Sequence, residues 1–155
     1  MRDKINWIAK RIDQLNPRDL LDLLRLRQDI FIIEQRCIYP DIDSYDYLAV
    51  HFIGRRKTDD QLIAYSRLLP GNSKYEYPSI GRIVIAKEVR GQKLGQFLIN
   101  ESINYCQKLY PESAISIGAQ LELETYYQQF GFKRCSEPYD DDGILHIDMI
   151  LIPTL

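Results

Sequence analysis

The chain has 155 residues, a formal net charge of −2, and 45% hydrophobic, 11% aromatic and 27% charged side chains. That length fits one domain, residues 1–155, and the apolar fraction can fill a core, so disorder, collagen-like sequence and a small disulfide scaffold are excluded. The slightly acidic balance gives no basic field for a polyanion, so no nucleic-acid partner is expected.

No apolar run approaches the ~18 residues of a membrane span, and Met1-Arg2-Asp3-Lys4 leads into no signal-like segment. Cys37, Cys106 and Cys135 are odd in number and form no Cys-x-x-Cys pair. A cytoplasmic chain with reduced thiols and no membrane partner is expected.

In chain order, Ile5 to Ile8 reads as a first strand. Asn16-Pro17 has the form of a helix N-cap and first residue, and Leu20, Leu23, Leu24, Leu26, Ile30 and Phe31 recur at helical spacing, predicting a helix over 17–34. Residues 36–47 mix Pro40, Asp41, Asp43 and Asp46 with aromatics in neither period, which predicts a structured loop or short helical turns. The apolar runs 48–54 and 61–69 flank a polar connection and predict an antiparallel hairpin. Residues 80–86 are rich in β-branched side chains and predict a central strand. From Leu94, the residues Phe97, Leu98, Ser102, Tyr105, Cys106 and Leu109 trace one face of a helix that ends near Pro111. Strands at 114–118, 132–136 and 144–152 and a short helix at 122–130 complete the succession. The mixture lacks a regular βα repeat, so the fold class is α+β with a mixed, mostly antiparallel sheet.

Between the central strand and the long helix lies Arg90-Gly91-Gln92-Lys93-Leu94-Gly95. Glycine lets backbone N–H groups turn outward, and the first helical turn adds unpaired N–H groups and a positive dipole end, a combination suited to pyrophosphate. Neither the P-loop nor the dinucleotide Gly-x-Gly-x-x-Gly pattern is matched. Two histidines and three scattered cysteines give no metal-ligand spacing, so no metal is expected, and the Asp41 loop lacks the glycine and the glutamate of a calcium hand.

The Arg-Gly-x-x-x-Gly loop, followed by Tyr126-Tyr127-Gln128-Gln129-Phe130-Gly131-Phe132, resembles the GNAT superfamily of acetyl-CoA-dependent N-acetyltransferases. Residues 31–43, 80–85, 117–120 and 142–147 extend the resemblance to its ElaA-like branch. The resemblance implies a GNAT-like central sheet with a splayed strand and flanking helices, and acetyl-CoA as the acetyl donor. Backbone groups of Ile83, Val84 and Ile85, side chains facing the core, would pair with the pantetheine arm. Arg90 would start the pyrophosphate loop, with Gly91, Gln92, Lys93, Leu94, Gly95 and Gln96 holding the phosphates. Lys93 stands where the family usually has its middle glycine, and Gln120 where many relatives have a cofactor-contacting Asn. Tyr127 takes the position of the general acid that protonates the departing thiolate. A base is also needed, for which Glu34, Asp43, His51 and His146 are candidates, Glu34 and His146 foremost. The acceptor is expected to be a small-molecule or peptide amine. The acidic groups Asp41, Asp43 and Asp46, and Glu137, Asp140, Asp141 and Asp142, suggest a cationic one. Pairing of edge strands would allow a homodimer. A CoA-binding module without turnover is the alternative.

Overall fold

The structure is a computed structural model that describes residues 2–154. Its eight strands form one sheet in the order β1-β2-β3-β4-β5-β8-β6, with β7 also paired to β8. β1 (Ile5–Arg11), β2 (Val50–Arg56), β3 (Leu62–Leu69) and β4 (Ser79–Ile85) form an antiparallel meander. β5 (Ile115–Gln120) runs parallel to β4, and β8 (Ile144–Leu151) runs antiparallel to β5. The expected α+β class and mostly antiparallel sheet are what the chain forms.

Helix α1 (Pro17–Arg27) begins as its sequence dictates: Asn16 Oδ1 accepts the Asp19 N–H at 2.7 Å, and Pro17 occupies the first turn, where its missing N–H costs nothing. Beyond Arg27 the backbone widens into a π-type helix over Gln28–Glu34. The expected helix over 17–34 therefore has the right span but changes pitch within it.

Helix α2 (Leu94–Leu109) joins two apolar clusters. Leu94 and Leu98 pack with Leu23, Ile53 and Tyr65. Ile99, Ile103 and Cys106 pack with Ile117, Phe132 and Met149. Helix α3 (Glu124–Gln128) is shorter than the 122–130 expected, and β6 is reduced to Lys133–Arg134.

β7 (Tyr139–Asp141) was not anticipated. Its signal was an Asp-Gly pair: Asp142 and Gly143 have φ of 50° and 86°, the double positive φ of a two-residue hairpin turn, and Asp141 pairs with Ile144 across it. Among the described residues no helix is long and apolar enough to cross a membrane.

Candidate active site

β4 and β5 diverge almost as soon as they meet. Their only paired residues are Ser79 and Ser116, where the Ser116 N–H donates to Pro78 O at 2.8 Å. β5 is thereafter occupied by β8, along Ile115–Gln120 against His146–Leu151. The remainder of β4 faces an open wedge.

A bulge helps to turn β4 away. Val84 pairs with Tyr65 and Gly81 with Arg67, so Ser66 alone stands opposite Arg82 and Ile83, and Arg82 takes a φ of 47°. The Ala86 N–H donates to Ile63 O at 2.8 Å. Alternation along an antiparallel ladder then aims the main-chain groups of Val84 at β3 and those of Ile83 and Ile85 into the wedge. This corrects the expectation for the strand: Ile83 and Ile85 offer free backbone groups, and Val84 does not. The side chains also alternate, with Val84 buried and Ile83 and Ile85 half-buried.

The wedge opens into a groove of about 440 Å³ lined by Ile83 of β4, Ile117 to Gln120 of β5 and Tyr127 of α3. Its other wall comes from residues near Cys37 and Tyr39, from Lys74 and Tyr75, and from the β7–β8 hairpin with Tyr139 and His146.

The glycine loop lies outside the enclosed part of the groove. From Gly91 to Gln96 no backbone N–H finds an acceptor among the described residues, and the first helical bond is Phe97 N–H to Lys93 O at 3.3 Å. Orphan donors at the head of a sixteen-residue helix are what a phosphate requires, so these residues fit a pyrophosphate. Gly91 has a φ of 82° with open space where a Cβ would stand. Lys93 has a φ of 61° and ψ of 18°, so the lysine itself adopts the left-handed conformation that favours glycine. Leu94 contributes only its backbone, because its side chain is buried in the core.

Glu34 is not in the groove. It binds Arg90 at 2.6 Å and 2.9 Å, and the Arg90 guanidinium holds its carboxyl below the usual range. The pair ties the end of the π-type helix to the start of the glycine loop, a clamp and not a base.

Tyr127 lines the groove, and its hydroxyl makes no hydrogen bond among the described residues. Its ring is fixed edge-on against Tyr126 and Phe132. Burial, aided by Tyr126, pushes its phenol up to about 12, so it holds its proton at neutral pH.

His146 also lines the groove, opposite Gln120 on β5 and stacked on Tyr139. Its Nδ1 lies 2.8 Å from Ile144 O. A carbonyl only accepts, so Nδ1 carries the proton and Nε2 has the lone pair, without a partner among the described residues. His51 is excluded from such a role: it is buried, with Nδ1 2.7 Å from Tyr65 Oη and Nε2 3.0 Å from Asp46 O, and burial lowers its proton affinity.

The first acidic group is not an open patch. Asp41 and Asp46 are bound by Arg27 at 2.9 Å and 2.8 Å, Asp43 and Asp46 by Arg67 at 2.6 Å and 3.1 Å, and Asp41 and Asp43 by Arg82 at 2.9 Å and 3.3 Å. These carboxylates neutralise guanidiniums and are not left over to attract a cation, which corrects the expectation drawn from them. Sequence reasoning missed the arginines. The available signal was position: Arg27 lies one helical turn after the buried Leu23, and Arg67 interrupts the wholly buried run of β3, so both are charges that need buried partners.

A splayed sheet, a helix-head loop of orphan N–H groups and a groove between them define a domain that takes an acyl-CoA. The acetyltransferase (GNAT) domain family matches residues 34–153, and the chain belongs to that family of N-acetyltransferases. It is similar to the UPF0039 protein sll0451 of Synechocystis, 39% identical over 95% of each chain. It is also similar to protein ElaA of Escherichia coli, 37% identical over 94% of this chain and 95% of that one, which supports the ElaA-like branch. The crystal structure of an acyl-CoA N-acyltransferase from Pseudomonas aeruginosa superposes with a TM-score of 0.89 at 34% identity, covering 95% of this chain and 99% of that one.

Proposed function

We propose that the protein transfers an acetyl group from acetyl-CoA to a primary amine by direct attack within a ternary complex, with Tyr127 as general acid and His146 as general base. The observation that carries this reading is the single groove in which the open edge of β4, Tyr127 and His146 meet. Acetyl-CoA supplies an acyl carbon activated as a thioester. Backbone groups of Ile83 and Ile85 hold the extended arm as an added strand would be held, and the N–H groups from Gly91 to Gln96 take the pyrophosphate. Gln120, at the open end of β5, supplies a side-chain amide to the same groove.

His146 Nε2 takes a proton from the attacking amine, while the Nδ1–H bond to Ile144 O keeps the ring in the required tautomer and orientation. Tyr127 gives its phenolic proton to the departing thiolate. Burial raises the proton affinity of the Tyr127 phenol, so it keeps its proton until the thiolate forms beside it.

The test is Tyr127→Phe. Acetyl transfer should fall by about 10²-fold or more, with calorimetric acetyl-CoA affinity unchanged within a few-fold. An undiminished rate removes Tyr127 as the acid. Firm acetyl-CoA binding without transfer to any amine identifies a CoA-binding module instead.

A further inference from the structure

The acceptor half of the groove is lined by Arg67, Arg82 and Lys74 together with Asp141, Asp142 and His146. The arginines are only partly satisfied. Arg67 is 1% exposed, and although its terminal nitrogens hold Asp43 and Asp46, its buried Nε–H has no partner. An unmet guanidinium donor at the floor of a groove costs free energy unless something completes it. Arg82 spends Nε and Nη2 on Asp41 and Asp43, and its Nη1 has no partner among the described residues.

Arg82 is also the bulge residue, held at a φ of 47°. Such a conformation is costly for a side chain with a Cβ, and here it sets a half-buried arginine on the wall of the groove. Lys74 completes the group. Its ammonium pairs with no carboxylate among the described residues. Burial lowers its proton affinity, and the charges of Arg82 and Arg67 lower it further against the opposing pull of Asp141 and Asp43.

The carboxylates of Asp41, Asp43 and Asp46 are occupied by Arg27, Arg67 and Arg82, which leaves Arg67 Nε, Arg82 Nη1 and Lys74 Nζ as donors without a carboxylate partner among the described residues. We infer that the acceptor is an amine that also bears a carboxylate, of the amino-acid class, with its carboxylate held by Arg82 Nη1 and Lys74 Nζ above Arg67 and its amine turned toward His146. A guanidinium and an ammonium meeting one carboxylate make charge-assisted hydrogen bonds in a site partly screened from water. A polyamine would instead set a second ammonium against Lys74 and Arg82. This inference rests on the transferase reading above and gives it a substrate class.

The experiment follows thiol release from acetyl-CoA by the full chain with matched pairs: tyrosine and tyramine, phenylalanine and phenethylamine, lysine and cadaverine, with spermidine alongside. The carboxylate-bearing member of at least one pair should be preferred by about tenfold or more in kcat/KM, the worth of one good charged contact. Lys74→Ala should raise its KM about tenfold while kcat changes little, and Lys74→Arg should restore it. Equal or better use of decarboxylated amines or spermidine overturns the inference. So does an acetyl-CoA-binding chain that neither acetylates nor, by calorimetry, binds any of these amino acids. A chain that fails to bind acetyl-CoA overturns the transferase reading, and this inference with it.

Discussion

Asp46 is the point at which the buried charge network can be broken with a measurable result. Its carboxylate accepts from Arg27 Nη1 at 2.8 Å and Nη2 at 3.1 Å, from Arg67 Nη1 at 3.1 Å, and from the Asp43 N–H at 3.0 Å. Arg27 and Arg67 are 0% and 1% exposed, so neither can turn to water when the carboxylate is removed. Breaking a buried pair by deleting one partner costs about 3–5 kcal/mol. Arg27 keeps Asp41 and Arg67 keeps Asp43, which places Asp46→Ala at the lower end, about 3 kcal/mol.

The same carboxylate predicts a pH dependence. Burial alone would raise it, but the hydrogen bonds from Arg27 and from the Asp43 backbone outweigh burial and hold it down at about 2, against an ordinary 3.8. The unfolded chain therefore takes up this proton first. Stability from Asp46 is full above 3.8 and is lost as pH falls toward 2, an effect of about 2 kcal/mol. Urea unfolding across that range should show this loss in the native chain, and Asp46→Asn should lack it. A change below about 1 kcal/mol for Asp46→Ala, or an unaltered acid slope for Asp46→Asn, would refute the network as a source of stability.

Four further outcomes concern the groove and loop. Gly91→Ala places a Cβ at a φ of 82° in open space, so it should cost about 1 kcal/mol of stability through strain alone, read by urea unfolding, and weaken acetyl-CoA binding. Gly95→Ala, whose Cβ would meet only Tyr126 Oη at 3.5 Å, should slightly raise the melting temperature yet also weaken acetyl-CoA; retained affinity in both variants would make the loop a mere turn. Lys93→Gly keeps the backbone path, so any loss of acetyl-CoA affinity should be a few-fold at low salt and vanish at high salt, and tighter binding would show that the ammonium is no help to the phosphates. His146→Ala should lower acetyl transfer at unchanged acetyl-CoA affinity, and an unchanged rate would leave the amine to deprotonate through water.

What the sequence made legible was whatever depends on neighbours along the chain. Asn16-Pro17 announced α1, and the β-branched run announced β4. Asp142-Gly143 carried a hairpin signal as clear as either, but it lay in an acidic stretch between two expected strands, where only its charge was weighed. The bulge at Arg82 had no such signal, because nothing local marks an arginine for a φ of 47°. The pairing of Arg27, Arg67 and Arg82 with Asp41, Asp43 and Asp46 was hidden for another reason: Arg27 comes from α1, Arg67 from β3 and Arg82 from β4, and only the folded sheet brings them to the one loop. A cluster of aspartates in sequence therefore read as an open negative patch when it is a set of internal counter-ions.

That network also explains how the two halves of the groove keep a fixed relation. Arg82 binds Asp41 and Asp43 of the acceptor-side loop with the residue that bulges β4, and the next residue, Ile83, turns its backbone groups into the wedge. Arg67 pairs with Gly81 across the ladder and binds the same Asp43, so the loop is held by both strands at the bulge. A direct transfer needs the amine and the thioester placed with little freedom, because misplacement by about 1 Å can cost 10²-fold in rate. Here the loop that walls the acceptor side is fastened by charged contacts to the strand that presents the donor side, and disorder in one is resisted by the other. Loss of Asp43 would accordingly be felt at both ends of the groove, while loss of Lys74, which lies over the Tyr75 ring and pairs with no carboxylate among the described residues, should be felt by the acceptor alone.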